Sequence, residues 1–209
     1  IEIDIAVDLG GLTSGGKTEI FAMSVAPIQL SYIGFLGTMG APYYDYLIAD
    51  LITIPIKNQH FYSEKIAYLA SYQINDSKET PPEVFFTRKD IGLPETGFVF
   101  CCFNNTFKIT PDTFDSWMRI LKSVKDSVLM IYVALDSAKK NLMNEASLRA
   151  VDPNRLIFAK RLDRANYLAR YRVVDLFLDT LPYNAATTAS DALRMGLPVL
   201  TCQGESFAS

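Results

Sequence analysis

The chain has 209 residues, 49% of them hydrophobic and 21% charged, with a formal net charge of −3. That length allows one large domain or parts of two, and the composition is that of an ordinary folded protein with a sizeable core. The slight acidity gives no electrostatic basis for binding nucleic acid or an anionic membrane surface, and charged, glycine or proline positions break every apolar run before membrane-spanning length.

The chain opens inside an apolar strand pattern, "IEIDIAVDL", without a methionine or a signal peptide, and closes at "GESFAS" without an ending signal. It is therefore expected to be a piece of a longer protein. Directly after the first strand, Gly11 to Thr18 reads G-x-x-x-x-G-K-T. Gly11, Gly16, Lys17 and Thr18 have the spacing of a phosphate loop, and Asp50, at the end of "YYDYLIAD", is a candidate acidic partner. The alternative is a strand-to-helix turn whose glycines only permit tight backbone geometry. Pro27 shortens any helix through "EIFAMSVA", and a second glycine-rich turn, "GFLGTMGAP", follows the strand "IQLSYIGF"; both favour the turn.

Residues 71–93 are polar, with a Pro-Pro pair, and read as a linker carrying a short helix near "TRKDIGL". Beyond it, strands "GFVFCCF", "SVLMIYVAL", "RLIFAK", "VDLFLDTL" and "LPVLTC" alternate with helical stretches. These are "PDTFDSWMRILKSV", "AKKNLMNEASLRAV", "DRANYLARYRVV" and "TASDALRMG". Thr110 before Pro111 is an N-cap followed by a first-turn proline, and Gly196 and Pro198 stop the last helix. Nearly continuous apolar strands alternating with helices predict an α/β protein with parallel sheets. Cys101, Cys102 and the distant Cys202 make neither a disulfide framework nor a zinc site and read as buried, reduced thiols of a cytoplasmic protein.

Polar residues gather just past two of these strands: Asn104, Asn105 and Lys108 after one, and Asn184, Thr187, Thr188 and Asp191 after the other. Ligands of open α/β sheets bind at such strand ends. Paired threonines at a helix N-terminus offer hydroxyls and amides to a phosphate, Lys108 offers charge, and Asp191 offers a carboxylate to a ribose. The plainer reading is that the threonines cap the helix and Lys108 is solvated.

The segments "EIFAMSVAPIQLSYIGFLGTMGAPYYDYLIAD", "YSEKIAYLASYQINDSK", "GFVFCCFNNTFKITPDTFDSWMRILKSV" and "LFLDTLPYNAATTASDALRMGLPVLTCQGESFAS" resemble, in order and over essentially the whole chain, the catalytic region of O-linked N-acetylglucosamine transferases. The likeness is to the SPINDLY-like group, glycosyltransferase family 41, bacterial members above all. It implies the GT-B arrangement, two Rossmann-like lobes with parallel sheets facing a cleft. Residues 1–70 would be the later part of the N-terminal, acceptor-side lobe, and 94–209 most of the C-terminal, UDP-sugar-binding lobe. Tetratricopeptide repeats and the first part of the N-terminal lobe are expected upstream. The implied activity is transfer of N-acetylglucosamine from UDP-GlcNAc to Ser or Thr hydroxyls of a protein or peptide acceptor, by inverting displacement and without a metal or other cofactor.

The resemblance also assigns residues. Lys108 matches the lysine that stabilises the departing UDP, and Asn105 falls where animal relatives carry a nucleotide-contacting glutamine. Thr187 and Thr188 match the phosphate-binding pair and Asp191 the ribose ligand. Leu162 and Arg164 align with positions touching uracil and ribose, and Gly34 with the turn approaching the sugar. Lys17 falls where relatives carry an arginine facing the cleft, which makes the phosphate-loop pattern an accident of glycines. There are departures: Ala186 and Tyr167 stand where the family has histidines, Ser24-Val25 where it has Arg-Pro, and Leu36 where it has proline. His60 matches no catalytic position and is expected at the surface. These departures leave two readings, an active transferase and a degenerate relative that binds nucleotide sugar or peptide as a scaffold.

Overall fold

The computed structural model describes residues 2–72, 79 and 81–206. These fall into two compact units, with the division between residues 74 and 75. Residues 73–78 and 80 of the expected linker lie outside the described residues.

The first unit carries a parallel sheet of β1 (Ile5–Asp8), β2 (Ile28–Ser31), β3 (Tyr46–Ala49) and β4 (Lys65–Tyr68), in that order. Its apolar residues form two small clusters, Leu47, Ala49, Ile54 and Tyr72 in one and Phe21, Met39 and Tyr44 in the other. The sequence pattern does not announce β4. It is an edge strand of exposed and half-buried residues beginning at Lys65, too short and polar for a period-two signal, and main-chain bonds to β3 place it. The "APIQ" run has a structural use. Gln29, buried in β2, donates to the Phe21 and Tyr43 carbonyls at 2.8 and 2.7 Å and accepts from the Val25 amide at 3.0 Å.

The glycine loop is organised by a carboxylate rather than prepared for a phosphate. At the end of β1, the buried Asp8 accepts from the Gly10 and Gly11 amides at 2.8 and 2.9 Å and from the Tyr44 hydroxyl at 2.5 Å. The Gly10 and Gly11 amides are therefore engaged, and those of Thr13 and Gly16 bond within the loop to the Gly10 and Thr13 carbonyls at 3.2 and 3.0 Å. Gly16 packs so that a Cβ would lie 2.1 Å from the Gly11 carbonyl oxygen. Lys17 is exposed beside Glu19 and starts a helix, α1 (Thr18–Ala22), of only five residues. Asp50, the candidate acidic partner, accepts from the amides of Ile52, Thr53 and Tyr72 and closes its own loop. The phosphate-loop alternative is corrected accordingly. Gly34 has a local reason to be glycine: a Cβ there would sit 2.0 Å from the Leu9 carbonyl oxygen. His60 is exposed, as expected.

The second unit is a five-stranded parallel sheet: β5 (Val99–Cys102), β6 (Val128–Tyr132), β7 (Leu156–Ala159), β8 (Leu176–Leu178) and β9 (Val199–Leu200). They run in the order β7-β6-β5-β8-β9, so the sheet starts in its middle, grows to one edge, and then returns to grow to the other. The helices are α2 (Pro111–Ser123), α3 (Asp136–Leu148), α4 (Arg164–Arg170) and α5 (Thr187–Arg194). Thr110 caps α2 as expected, accepting from the Thr113 amide. The α4 stretch ends as α-helix earlier than expected and tightens into a 3₁₀ turn over Tyr171–Val173. All four residues of β5 are buried, at the centre of a core that includes Phe114, Trp117, Leu129, Ile131 and Phe177. Burial pushes the Cys102 thiol up to about 12, so Cys101 and Cys102 are inert core residues, whereas Cys202 is exposed, contrary to expectation.

The stretch before β5 is tied to this unit. Arg88 donates to the carbonyls of Val173 and Gly97 at 3.1 and 2.7 Å and pairs with Asp175 at 2.7 Å. Asp175 in turn accepts from the Val99 amide at 2.7 Å, fixing the start of β5. Among the described residues no helix is long and apolar enough to cross a membrane.

Burial opposes ionisation of Asp8, but its bonds from Tyr44, Gly11 and Gly10 outweigh burial and hold its carboxyl below the usual value. With the folded value depressed, the stabilisation is full above the unfolded value and is lost as pH falls through the folded one. Asp8→Ala is expected to cost about 3 kcal/mol by leaving buried donors unpaired, read as a lower urea midpoint at neutral pH. The deficit should shrink on acidification, because the wild type loses the same bonds.

Candidate functional site

The order of the second sheet reverses between β5 and β8, and the strand ends there create a crevice in sheets of this kind. Two loops leave that point, one from β5 to α2 and one from β8 to α5. A buried polar network joins them. Asn104, 2% exposed, donates to Asp179 at 3.2 Å and to the Thr180 hydroxyl at 2.8 Å, while its own oxygen accepts from the Thr188 hydroxyl. Asp179, immediately after β8, also accepts from the amides of Thr180 and Ala185 at 2.7 and 2.8 Å. Its second oxygen takes Asn184 at 3.0 Å and Thr201, beyond β9, at 2.7 Å. Three strand ends and the first turn of α5 are thus fixed by one carboxylate and one amide.

Lys108 closes the 3₁₀ turn Thr106–Lys108 and reaches across to the other loop. Its Nζ donates to the Asn184 carbonyl at 3.0 Å and lies 4.1 Å from the centre of the Tyr183 ring. Burial lowers its pKa, with the nearby Asp179 charge opposing that shift. Lys108 is therefore a half-buried, positioned cation rather than a solvated one. Helix α5 begins at Thr187 with Ala186 as N-cap, and no side chain caps it. The threonines do not act as caps: Thr187 is exposed, and Thr188 spends its hydroxyl proton on Asn104. The helix thus presents its positive end beside Lys108 without a side-chain acceptor over it.

Asp191, 1% exposed on α5, is held by the two terminal Arg164 nitrogens at 2.8 Å, so Arg164 and the expected ribose ligand form one bidentate pair. Glu79 takes the outer side of the same guanidinium at 3.1 and 3.2 Å. The hydrogen bonds to Asp191 and then Glu79 raise the Arg164 pKa, which keeps the group charged.

The Arg164 guanidinium lies 5.9 Å from the centre of the Tyr167 ring, and Tyr167 lines a cavity of about 150 Å³ together with Phe103, Leu162, Arg170 and Thr188 among others. Arg170 was not foreseen. It is 2% exposed, lies 3.8 Å from the centre of the Phe103 ring, donates to the Lys160 carbonyl at 3.0 Å, and has an Nε with no partner. Burial lowers its pKa. In "YLARYR" it looks like one of several surface arginines. The available signal was its helical spacing from Tyr167, which puts both on one face.

Of the residues singled out from sequence, the structure brings Lys108, Asn184 and Thr188 together around Asn104, pairs Arg164 with Asp191, and places Leu162 and Tyr167 in the lining of the small cavity. Asn105 is exposed and outside both groups, and the inward-facing asparagine is its neighbour Asn104. Gly34 and Lys17 belong to the first unit. Among the described residues there is no group of three or more His, Cys, Asp or Glu side chains placed to hold a metal ion.

Comparison with known proteins gives concordant results. The family model described as glycosyl transferase family 41 matches residues 2–82 and 73–209. The probable UDP-N-acetylglucosamine–peptide N-acetylglucosaminyltransferase SEC of Arabidopsis thaliana is 37% identical over 214 residues, covering 100% of this chain and 22% of the relative. The probable enzyme of the same description named SPINDLY, from Solanum lycopersicum, is 30% identical over 99% of this chain and 22% of its own length. The chain therefore spans about a fifth of these relatives. Among solved structures, a mutant of the O-GlcNAc transferase of Thermobaculum terrenum superposes with a TM-score of 0.84 at 30% identity, over 99% of this chain and 39% of that one. The GtfA/B complex, at a TM-score of 0.55 and 15% identity, shares the fold alone. The α/β, GT-B-type class expected from sequence is the class found, and the chain belongs to glycosyl transferase family 41.

Proposed function

We propose that this chain forms part of the catalytic region of a UDP-GlcNAc-dependent protein O-glycosyltransferase, with the donor held by the second unit. The observation that carries the reading is Lys108, a positioned cation beside the uncapped N-terminus of α5 at the sheet's switch point. In the reaction, a Ser or Thr hydroxyl of a polypeptide attacks the anomeric carbon and gives up its proton to a base or to solvent, the bond from that carbon to the β-phosphate oxygen breaks, and UDP leaves with the electron pair. Negative charge grows on the β-phosphate, and a fixed cation with helix amides lowers that barrier most where water is scarce. Lys108 and the first turn of α5, with Thr187 and Thr188, would supply this positive potential in place of a metal ion. Arg164 with Asp191 would hold the ribose, and the small cavity beside Leu162 would take the base. Asn105 and Gly34 are assigned to the donor on the family likeness. Upstream tetratricopeptide repeats and a cytoplasmic location belong to the same proposal.

A second reading has its own observation. Ala186, the N-cap of α5, brings no side-chain donor to the phosphates, as a degenerate binding protein would require. Turnover separates the two: UDP binding by the full-length protein without sugar release to peptide or water would favour the scaffold.

Lys108→Ala is expected to lower kcat by about 10²–10³-fold with a smaller change in KM, measured as UDP release with a peptide acceptor. Because burial lowers the Lys108 pKa, its charge is lost at a lower pH than an ordinary lysine's. The kcat profile should fall on the alkaline side, and Lys108→Arg should move that limb to higher pH even at reduced activity. Full activity is expected to persist in excess EDTA, and loss restored by a divalent cation would contradict the role given to Lys108.

A further inference from the structure

The charge of Lys108 is fixed in direction without being neutralised. Among the described residues no carboxylate forms an ion pair with its ammonium. Asp179 acts on it through space, but its oxygens are taken up by Asn104, Asn184, Thr201 and the amides of Thr180 and Ala185. What holds the ammonium is one carbonyl, that of Asn184 at 3.0 Å, and one ring, that of Tyr183, with its centre 4.1 Å away. An ammonium so placed is drawn to the negative face of the ring. Neither partner carries a full charge, so the cation stays free to meet an anion.

A lysine on a flexible four-carbon stem is poorly fixed by a single hydrogen bond. Tyr183, by contrast, sits between fixed points. The Thr113 hydroxyl donates to the Leu181 carbonyl at 3.0 Å, and the Thr180 hydroxyl donates to the Tyr183 carbonyl at 2.8 Å. The next residue, Asn184, is 3% exposed and anchored to Asp179 and Thr201. We infer that Tyr183 is a positioning residue for the transfer reaction, its ring and the Asn184 carbonyl together holding the Lys108 ammonium, still charged, for the departing diphosphate. This role rests on the nucleotide-sugar reading above and adds to it the group that orients its cation.

The ring acts on Lys108 in two opposing ways. As a body it excludes water, which disfavours the charge, and as a quadrupole it favours the charge. The other titratable groups around Lys108 are Asp179, after β8, and Cys102, at the end of β5, whose buried thiol stays neutral. Tyr183→Leu keeps most of the bulk and loses the quadrupole, so the Lys108 charge should be lost at a lower pH. A merely loosened loop would admit water and move that loss the other way.

The test follows sugar transfer from UDP-GlcNAc to a peptide by the full-length protein, from neutral to strongly alkaline pH, with thermal melting as a folding control. The limb to follow is the alkaline limb of kcat/KM that Lys108→Arg displaces, because kcat/KM reports the free enzyme. Ionisation of the uracil ring is common to all variants, so the limb is read as a difference from wild type. In Tyr183→Leu, kcat at neutral pH should fall about fivefold with KM little changed. The limb should move to lower pH by about half a unit to one unit. Tyr183→Phe retains the ring and should restore both. If UDP binds without transfer, the same limb is read in UDP affinity. A limb that stays in place or moves to higher pH in Tyr183→Leu would overturn the inference, whether or not KM rises. So would a Tyr183→Phe variant that behaves like Tyr183→Leu. If the wild type neither binds UDP nor transfers sugar, or Lys108→Ala changes neither, it is the nucleotide-sugar reading that falls, and the role of Tyr183 falls with it.

Discussion

The candidate site depends on the carboxylate of Asp179. It stands where β8 ends and gathers donors from Asn104, Thr180, Ala185, Asn184 and Thr201. Through them it fixes the ends of β5, β8 and β9 and the entry to α5, the elements that diverge at the reversal of strand order. A half-open carboxylate holding this many donors is costly to leave unpaired, so the loops have one good arrangement rather than several. Lys108 completes the balance, its charge lying near Asp179 while its three donors exceed what the Asn184 carbonyl alone uses. The remaining capacity is what a diphosphate would satisfy.

The first unit uses the same device twice, to a different end. Asp8 after β1 and Asp50 after β3 each bind the amides of the loop that follows and so stabilise that loop internally. In the second unit Asp179 gathers the side chains of Asn104, Asn184 and Thr201 as well as loop amides, and so ties together loops that leave different strands. A strand-end aspartate therefore marks a shaped loop in this protein. Whether that loop can receive an anion depends on where the neighbouring amides point. The two segments differ in what surrounds the helix end: "GGLTSGGKT" leads into the five-residue α1 with Lys17 exposed, whereas "NAATTASD" leads into the eight-residue α5 with Lys108 bonded to the Asn184 carbonyl just before it.

Much of this was legible in the sequence. Parallel β/α alternation, the capped start of α2 and the glycine stop of α5 follow from periodicity and turn chemistry, which are local. The polar residues after β5 and β8 were visible as candidates because strand ends are predictable. Strand β4 was not visible, since an edge strand of four mixed residues has no pattern of its own and is defined by the partner it pairs with. The pair Asn104-Asn105 shows the same limit. Identical side chains one position apart point to opposite environments, and only packing says which is inward.

The sequence by itself therefore determined the fold class, the family and the short list of residues that meet at the switch point. It did so because periodicity and motif order are properties of neighbours along the chain. The tertiary structure alone decided which aspartates are committed to their own loops, that Asp191 is paired with Arg164, and that Arg170 is a buried cation. Several of these rest on partners far away in sequence, 27 residues for Arg164 and Asp191, 36 for Asp8 and Tyr44, and 22 for Asp50 and Tyr72. A hydrogen bond acquires its direction and strength only when folding has removed water and brought both partners within reach.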